Sequence, residues 1–288
     1  MKITVEEKEV IKNLLISYVG RYQSMRQAAA SLKSVSVATV SNIMNGKFES
    51  VSDEMFRNIA QQVGYSVDGW AIVETTSFSQ IWGVLSDSKE WKQATWIVGE
   101  SGCGKSTTAK AFQKDHNEVF IVLCSEDMKK SDFVREMARQ IGIKTDGYNI
   151  REILDCIITK LANMQEPLLI FDEGDKLTDT VFAYFISLYN RLEEKAGMIF
   201  LSTSYIQRRM TTGLRYNKKG YQEFYSRIGR RFYELPCNSP ADVAAICEAN
   251  GINNKNDVAK IIKSLEAYEF DLRRVKKAIA VYKRHNNR

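Results

Sequence analysis

Gly99-Glu100-Ser101-Gly102-Cys103-Gly104-Lys105-Ser106 is the stretch from which the fold can be read. An apolar run, Thr95-Trp96-Ile97-Val98, precedes it, and helix-compatible residues from Thr107 to Gln113 follow. Strand, glycine-rich turn and helix in that order make a phosphate-binding loop. The glycines let consecutive backbone N–H groups turn inward around a polyphosphate, and the helix presents the positive end of its dipole. Lys105 suits the β and γ phosphates and the Ser106 hydroxyl suits Mg²⁺. Residues 99–107 are therefore expected to cradle a nucleotide.

The rest of the site is expected downstream. Val119–Leu123 reads as a buried parallel strand, with helical patterns at Ser131–Ile141 and Ile150–Asn163. Pro167-Leu-Leu-Ile-Phe171 then runs into Asp172-Glu173. At the end of a strand, Asp172 is suited to hold Mg²⁺ and Glu173 to orient and polarise an attacking water. A further strand, Gly197–Leu201, ends in Ser202-Thr203-Ser204, where a polar side chain can sense the γ-phosphate. Thr203 is the expected residue, with Ser202 and Ser204 as alternatives. Strands alternating with helices predict an α/β fold with a parallel sheet covered on both faces. Past Pro240 the pattern is purely helical, with stripes at Val243-Ala244-Ile246-Cys247 and Val258-Ile261-Ile262-Leu265.

With 288 residues the chain has room for two or three domains, and its formal net charge of +6 suits an anionic partner. Its five cysteines form no C-x-x-C pair and its two histidines are isolated. These read as free thiols in a reducing compartment, with no metal cluster built on histidine. No apolar run reaches membrane-spanning length and the N-terminus has no signal-peptide core, so a cytoplasmic protein is expected.

Before the phosphate loop the pattern is helical. Val10, Leu14, Leu15 and Val19 form one stripe, and Met55, Ile59, Ala60 and Val63 another. Between them, Gln27–Gly46 reads as two short helices flanking a tight turn, with Ala30 at the crossing, Ser36 as cap and Gly46 as stop. The run Val35-Ser-x-x-Thr39-Val-Ser-x-Ile43-x-Asn45-Gly46 resembles lambda-repressor-like helix-turn-helix folds. It departs from them at Ser34, where the family has glycine. The resemblance implies DNA contacts from Val37, Ala38, Thr39 and Asn42. Val37 and Ala38 cannot form a bidentate bond to a base edge, so sequence readout is expected to be weak, and a helical bundle that binds protein is the competing reading. Residues 1–66 are assigned to this unit and 67–77 to a linker.

Taken together, the phosphate loop, Asp172-Glu173, the polar strand tip and Phe224-Tyr-Ser-Arg227-Ile-Gly-Arg230-Arg231 resemble the AAA+ ATPases. The core is expected over 78–237 and a helical lid over 238–288. The resemblance implies ATP and Mg²⁺ as cofactors. It also implies an arginine finger at Arg227, with Arg230 and Arg231 as rivals, and a second sensor at Arg273. Between Thr203 and Tyr233 there are eight basic residues against one acid, Glu223. Arg208 and Arg209 within that block, and the loop pair Lys129-Lys130, are candidate contacts to a DNA backbone. The whole arrangement resembles the transposition ATPases of the phage Mu type, although Gly174 stands where that family often has alanine. That family implies ATP-dependent assembly of a homo-oligomeric filament on double-stranded DNA, target selection and stimulation of a transposase. A helicase loader and a nucleotide-responsive repressor are the alternatives.

Overall fold

The computed structural model describes residues 3–20, 22–63 and 70–286. Four helices come first: α1 (Val5–Val19), α2 (Met25–Ser31), α3 (Val37–Met44) and α4 (Asp53–Val63). The nucleotide layer follows as α5 (Thr76–Glu90), β1 (Ala94–Val98), α6 (Lys105–Asp115), β2 (Val119–Leu123), α7 (Lys130–Ile141), α8 (Ile150–Ala162), β3 (Leu168–Asp172), α9 (Asp179–Leu192), β4 (Gly197–Ser202), α10 (Tyr205–Arg215), α11 (Tyr221–Arg227) and β5 (Tyr233–Glu234). The chain closes with α12 (Pro240–Ala249), α13 (Lys255–Leu265) and α14 (Leu272–Asn286).

The five strands form one parallel sheet in the order β2-β3-β4-β1-β5. Its central strands are apolar on both faces, as a sheet covered by crossover helices requires. On one face Trp96, Phe171 and Phe200 stack, with ring centroids 4.5 and 5.1 Å apart, and Phe182, Phe185 and Phe224 of α9 and α11 close over them. On the other, Ile97, Ile170, Ile199 and Leu201 meet Ile81, Leu85 and Phe112 of α5 and α6. This double burial holds the strand tips in fixed register, with Asp172 beside Leu201 and Val98 beside Ser202.

The four N-terminal helices bury their own core, and α1 turns most of the expected stripe inward, with Leu15 buried and Leu14 and Val19 packed against the core, but Val10 gives way to Ile11 and Tyr18. Ile11, Leu15 and Tyr18 are buried, whereas Val10 is 48 % exposed. Spacings of four and three residues bring those side chains onto one face. Tyr18 can join them because its hydroxyl finds Ser31 Oγ at 2.7 Å. Ser24 and Ser36 cap α2 and α3 by accepting from the N–H groups of Gln27 and Thr39. The turn between them passes through Ser34 at φ 58°. This unit lies against α7: the Tyr22 hydroxyl donates to the Gln140 carbonyl at 3.0 Å, and Arg139 donates to the Ser31 carbonyl.

Residue 66 and residues 67–69 of the expected linker lie outside the described residues. The remainder is tied to the C-terminal helices. Trp70 and Val73 pack on the cluster formed by Val243, Ile246, Cys247, Val275 and Ile279. The Asn250 amide exchanges hydrogen bonds with both backbone groups of Ala71, at 3.1 and 3.2 Å. Asp242, which caps α12 through Ser239, also accepts from the Thr76 N–H at 2.9 Å. No helix among the described residues is long and apolar enough to cross a membrane.

A β-branched residue at Ser34 meets the steric penalty of a left-handed backbone, so Ser34→Val is expected to cost about 1–2 kcal/mol. Ser34→Gly is expected to be neutral or stabilising, and urea denaturation followed by circular dichroism reads both.

Candidate nucleotide-binding site

The loop after β1 turns on two glycines in the left-handed region, Gly102 at φ 80° and Gly104 at φ 103°. Gly104 sits at the N-terminus of α6, so the first turn of that helix opens onto the loop. The Lys105 ammonium lies across it, donating to the carbonyls of Gly99 at 2.7 Å and Glu100 at 2.9 Å. Ser101, Gly102, Gly104, Lys105, Ser106 and Thr107 face a cavity of ≈ 240 Å³. Gly99, Glu100 and the buried Cys103 form the back of the loop, where a Cβ on Gly99 would stand 3.0 Å from the Cys103 sulfur.

Asp172, Glu173 and Thr203 reach the same cavity from the tips of β3 and β4. Asp172 is 5 % exposed. Burial pushes its pKa above the ordinary carboxylate value. The hydrogen bond from Ser106 opposes that rise, and the charge of Glu173 adds to it. A carboxylate desolvated in this way beside a serine hydroxyl, at a helix N-terminus, is a hard-oxygen donor pair short of positive charge, and it fits Mg²⁺. Glu173 stands at φ 58° with its carboxylate paired to Lys176. The Thr203 hydroxyl donates to Asp175 Oδ2 at 2.7 Å. Ser202, its neighbour, also lines the cavity, but it is buried and its hydroxyl accepts from the Trp96 indole at 2.7 Å.

The third wall comes from the C-terminal helices. Arg273 donates to Ser101 Oγ at 3.1 Å, and the Leu272 N–H donates to the Gly102 carbonyl at 3.0 Å. Asp271 presses on the loop so closely that a Cβ on Gly102 would lie 2.1 Å from its carboxylate. Trp70, Ile72, Val73, Phe78 and Ile246 line the apolar end. Sequence reasoning passed over this apolar end, and over Asp175 and Asp271. The Trp70-Ala-Ile-Val73 run inside the supposed linker was the available signal.

Other residues singled out lie elsewhere. Arg227 projects from α11 and is held by the Asn190 side chain at 2.7 and 3.0 Å, outside its own chain's cavity. Arg208, Arg230, Arg231, Lys129 and Lys130 are exposed. Lys130 lies over the Tyr184 ring at 4.1 Å. Val37 and Ala38 are exposed on α3, Asn42 is half-buried, and the Thr39 hydroxyl is bonded to Ser36 at 2.8 Å. Arg209 has a different use from the one expected. It donates to the carbonyls of Leu177 at 2.6 Å and Asp175 at 3.1 Å, to the Tyr221 hydroxyl at 2.9 Å and to Asp179 at 2.6 Å. A guanidinium bonded on all three nitrogens inside the fold is not presented to a DNA backbone. Among the described residues no cluster of histidine, cysteine and acidic side chains could hold a metal ion of its own.

A parallel sheet in this order, a phosphate loop after β1, carboxylates at the tip of β3 and a helical wall against the loop define the AAA+ class of nucleotide-binding fold. Residues 89–210 match the AAA domain family. Relatives along most of the chain are Mu-type transposition proteins B. The Mu-like prophage FluMu DNA transposition protein B of Haemophilus influenzae is 24 % identical over 260 residues, covering 88 % of each chain. The ATP-dependent target DNA activator B of Escherichia phage Mu is 23 % identical over 231 residues, 78 % of this chain and 72 % of its own. Among solved structures, the Aeropyrum pernix Orc1 protein in complex with DNA shares the fold with a TM-score of 0.55 at 14 % identity. That match covers 78 % of this chain and 63 % of the Orc1 chain.

Asp179 gives the site region a pH signature. Against the desolvation that alone would raise its pKa, hydrogen bonds from Tyr221, Arg209 and Lys218 hold it down to about 2. A folded-state pKa below the unfolded value contributes stability that is present above about pH 4 and lost as pH falls toward 2. Thermal melts of wild type and Asp179→Asn are therefore expected to differ most at neutral pH and to converge only as the pH falls to about 2.

Proposed function

We propose that this chain is a DNA-dependent ATPase that assembles on duplex DNA as an ATP-linked homo-oligomer and directs or activates a transposase at a target. The observation that carries the ATPase reading is convergence: Lys105, Ser106, Asp172, Glu173, Thr203 and Arg273 reach one cavity from four separate chain segments. Within it the loop N–H groups and Lys105 hold the polyphosphate, and Ser106 and Asp172 would hold Mg²⁺. When bound, the ion would supply positive charge against the negative charge of the transferring phosphoryl group. Glu173 draws a proton from the attacking water once its carboxylate leaves the pairing with Lys176 that it makes in this structure. Thr203, whose hydroxyl donates to Asp175 in this structure, turns that proton to the γ-phosphate when the nucleotide enters, and Arg273 reaches it from the lid. Arg227, pointing away from its own cavity, serves a neighbouring subunit as an arginine finger; its planar fork suits a phosphate that is changing charge.

The DNA reading rests on exposed cations and on the relatives' names. Arg208, Arg215, Lys219, Arg230 and Arg231 lie exposed on and after α10 and α11, and Lys129 and Lys130 at the start of α7. Such groups bind the sugar–phosphate backbone without regard to sequence. The outer face of α3, with Val37, Ala38 and Asn42, adds groove contact of low specificity, positioned by the Ser36 cap. The transposition reading follows from the FluMu relative, which is named a DNA transposition protein, and from the phage Mu relative, which is named a target DNA activator.

Glu173→Gln is expected to slow ATP turnover by roughly two orders of magnitude while preserving ATP-dependent DNA binding. Lys105→Ala is expected to lose both. Fluorescence anisotropy with labelled duplexes of unrelated sequence, at several salt concentrations, checks both variants. A Glu173→Gln protein that ignores DNA when ATP is present, or a sharp preference for one duplex, contradicts the proposal.

A further inference from the structure

We propose that Arg209 is a positioning residue for hydrolysis, holding in place the loop that carries Glu173 and Asp175; this rests on the ATPase reading above. The loop needs an external holder. It leaves β3 through a left-handed Glu173, makes one short 3-10 turn at Gly174–Lys176 and enters α9 at Asp179. The carbonyls of Asp175 and Leu177 fall at the end of that turn, and Arg209 binds both. The same guanidinium grips Asp179, so three points between β3 and α9 hang on one side chain.

Arg209 is itself fixed from every side. Phe182 lies beneath it at 5.1 Å, and the Tyr221 hydroxyl accepts from its Nε while donating to Asp179 at 2.7 Å. Tyr221 in turn is packed onto Gly213, where a Cβ would come within 2.1 Å of its ring. Lys218 reaches the other oxygen of Asp179 at 3.2 Å. The planar fork of arginine meets two carbonyls and a carboxylate together, which an ammonium cannot do with the same geometry.

The consequence falls on two groups that face the γ-phosphate. Glu173 is the residue from which the loop springs, and Thr203 is tied to the same loop through its hydrogen bond to the Asp175 carboxylate. Release of Arg209 frees both while leaving Gly102, Lys105, Ser106 and Arg273 untouched, because none of these is among its partners. Loss of Arg209 therefore lowers the rate of the chemical step and spares nucleotide affinity.

Titration of a fluorescent ATP analogue, together with single-turnover hydrolysis well below the unfolding temperature, tests this in wild type, Arg209→Gln, Arg209→Lys and Asp179→Asn. Arg209→Gln is expected to bind within about twofold of wild type and to turn over about 10- to 100-fold more slowly, the penalty for a misplaced catalytic group. Arg209→Lys is expected to recover part of the rate, and Asp179→Asn to show a smaller loss of the same kind. A wild-type rate in Arg209→Gln overturns the proposal, as does an equal loss of affinity and rate. Should that variant fail to fold, a wild-type rate in Asp179→Asn overturns it. Absence of turnover in the wild-type protein instead removes the ATPase reading itself.

Discussion

Side chains alone hold a polyphosphate poorly, because each charged group brought to it must be desolvated and held still. Backbone N–H groups at the mouth of a helix have neither difficulty. They need a chain that can reverse direction within a few residues, and here that chain passes through Gly102 and Gly104 at φ 80° and 103°. Such a turn is useful only if other groups meet the phosphate from fixed directions. The sheet supplies those directions. Setting β4 between β1 and β3 brings the loop, Thr203 and Asp172 to one edge, and the aromatic stack beneath them keeps that edge rigid.

The remaining wall is helical, and it is fastened at both ends of the site. Asp271 and Leu272 sit on the phosphate loop, while Asn250 and Asp242 hold the segment that runs from Ala71 into α5. In the proposed nucleotide site, binding and the placement of α12–α14 are therefore linked: moving these helices opens the apolar end and withdraws Arg273 together. In the proposed assembly, a neighbour's Arg227 arrives at the side of the cavity that its own chain leaves open.

The nucleotide layer was legible because its signals are local. A phosphate loop needs glycine at set spacings, and buried parallel strands read as unbroken apolar runs, so Val119–Leu123 and Gly197–Leu201 appear where expected. Less legible were features that depend on partners far away in sequence. Tyr18 reads as a surface residue of α1 until Ser31 takes its hydroxyl, which is why the expected stripe of Val10, Leu14, Leu15 and Val19 leaves it out. Residues 70–75 looked like a linker because their partners, Asn250 and the α12 cluster, lie about 180 residues on. Arg209 was indistinguishable from Arg208 in a basic run. Only tertiary structure shows one pointing into the fold and the other out of it.

Sedimentation velocity of the protein with long duplex DNA, with and without ATP and Mg²⁺, addresses the proposed assembly most directly. Linkage through the triphosphate predicts that fast-sedimenting DNA-bound oligomers form only when the nucleotide is present. A protein that sediments as a monomer at saturating ATP and DNA contradicts it.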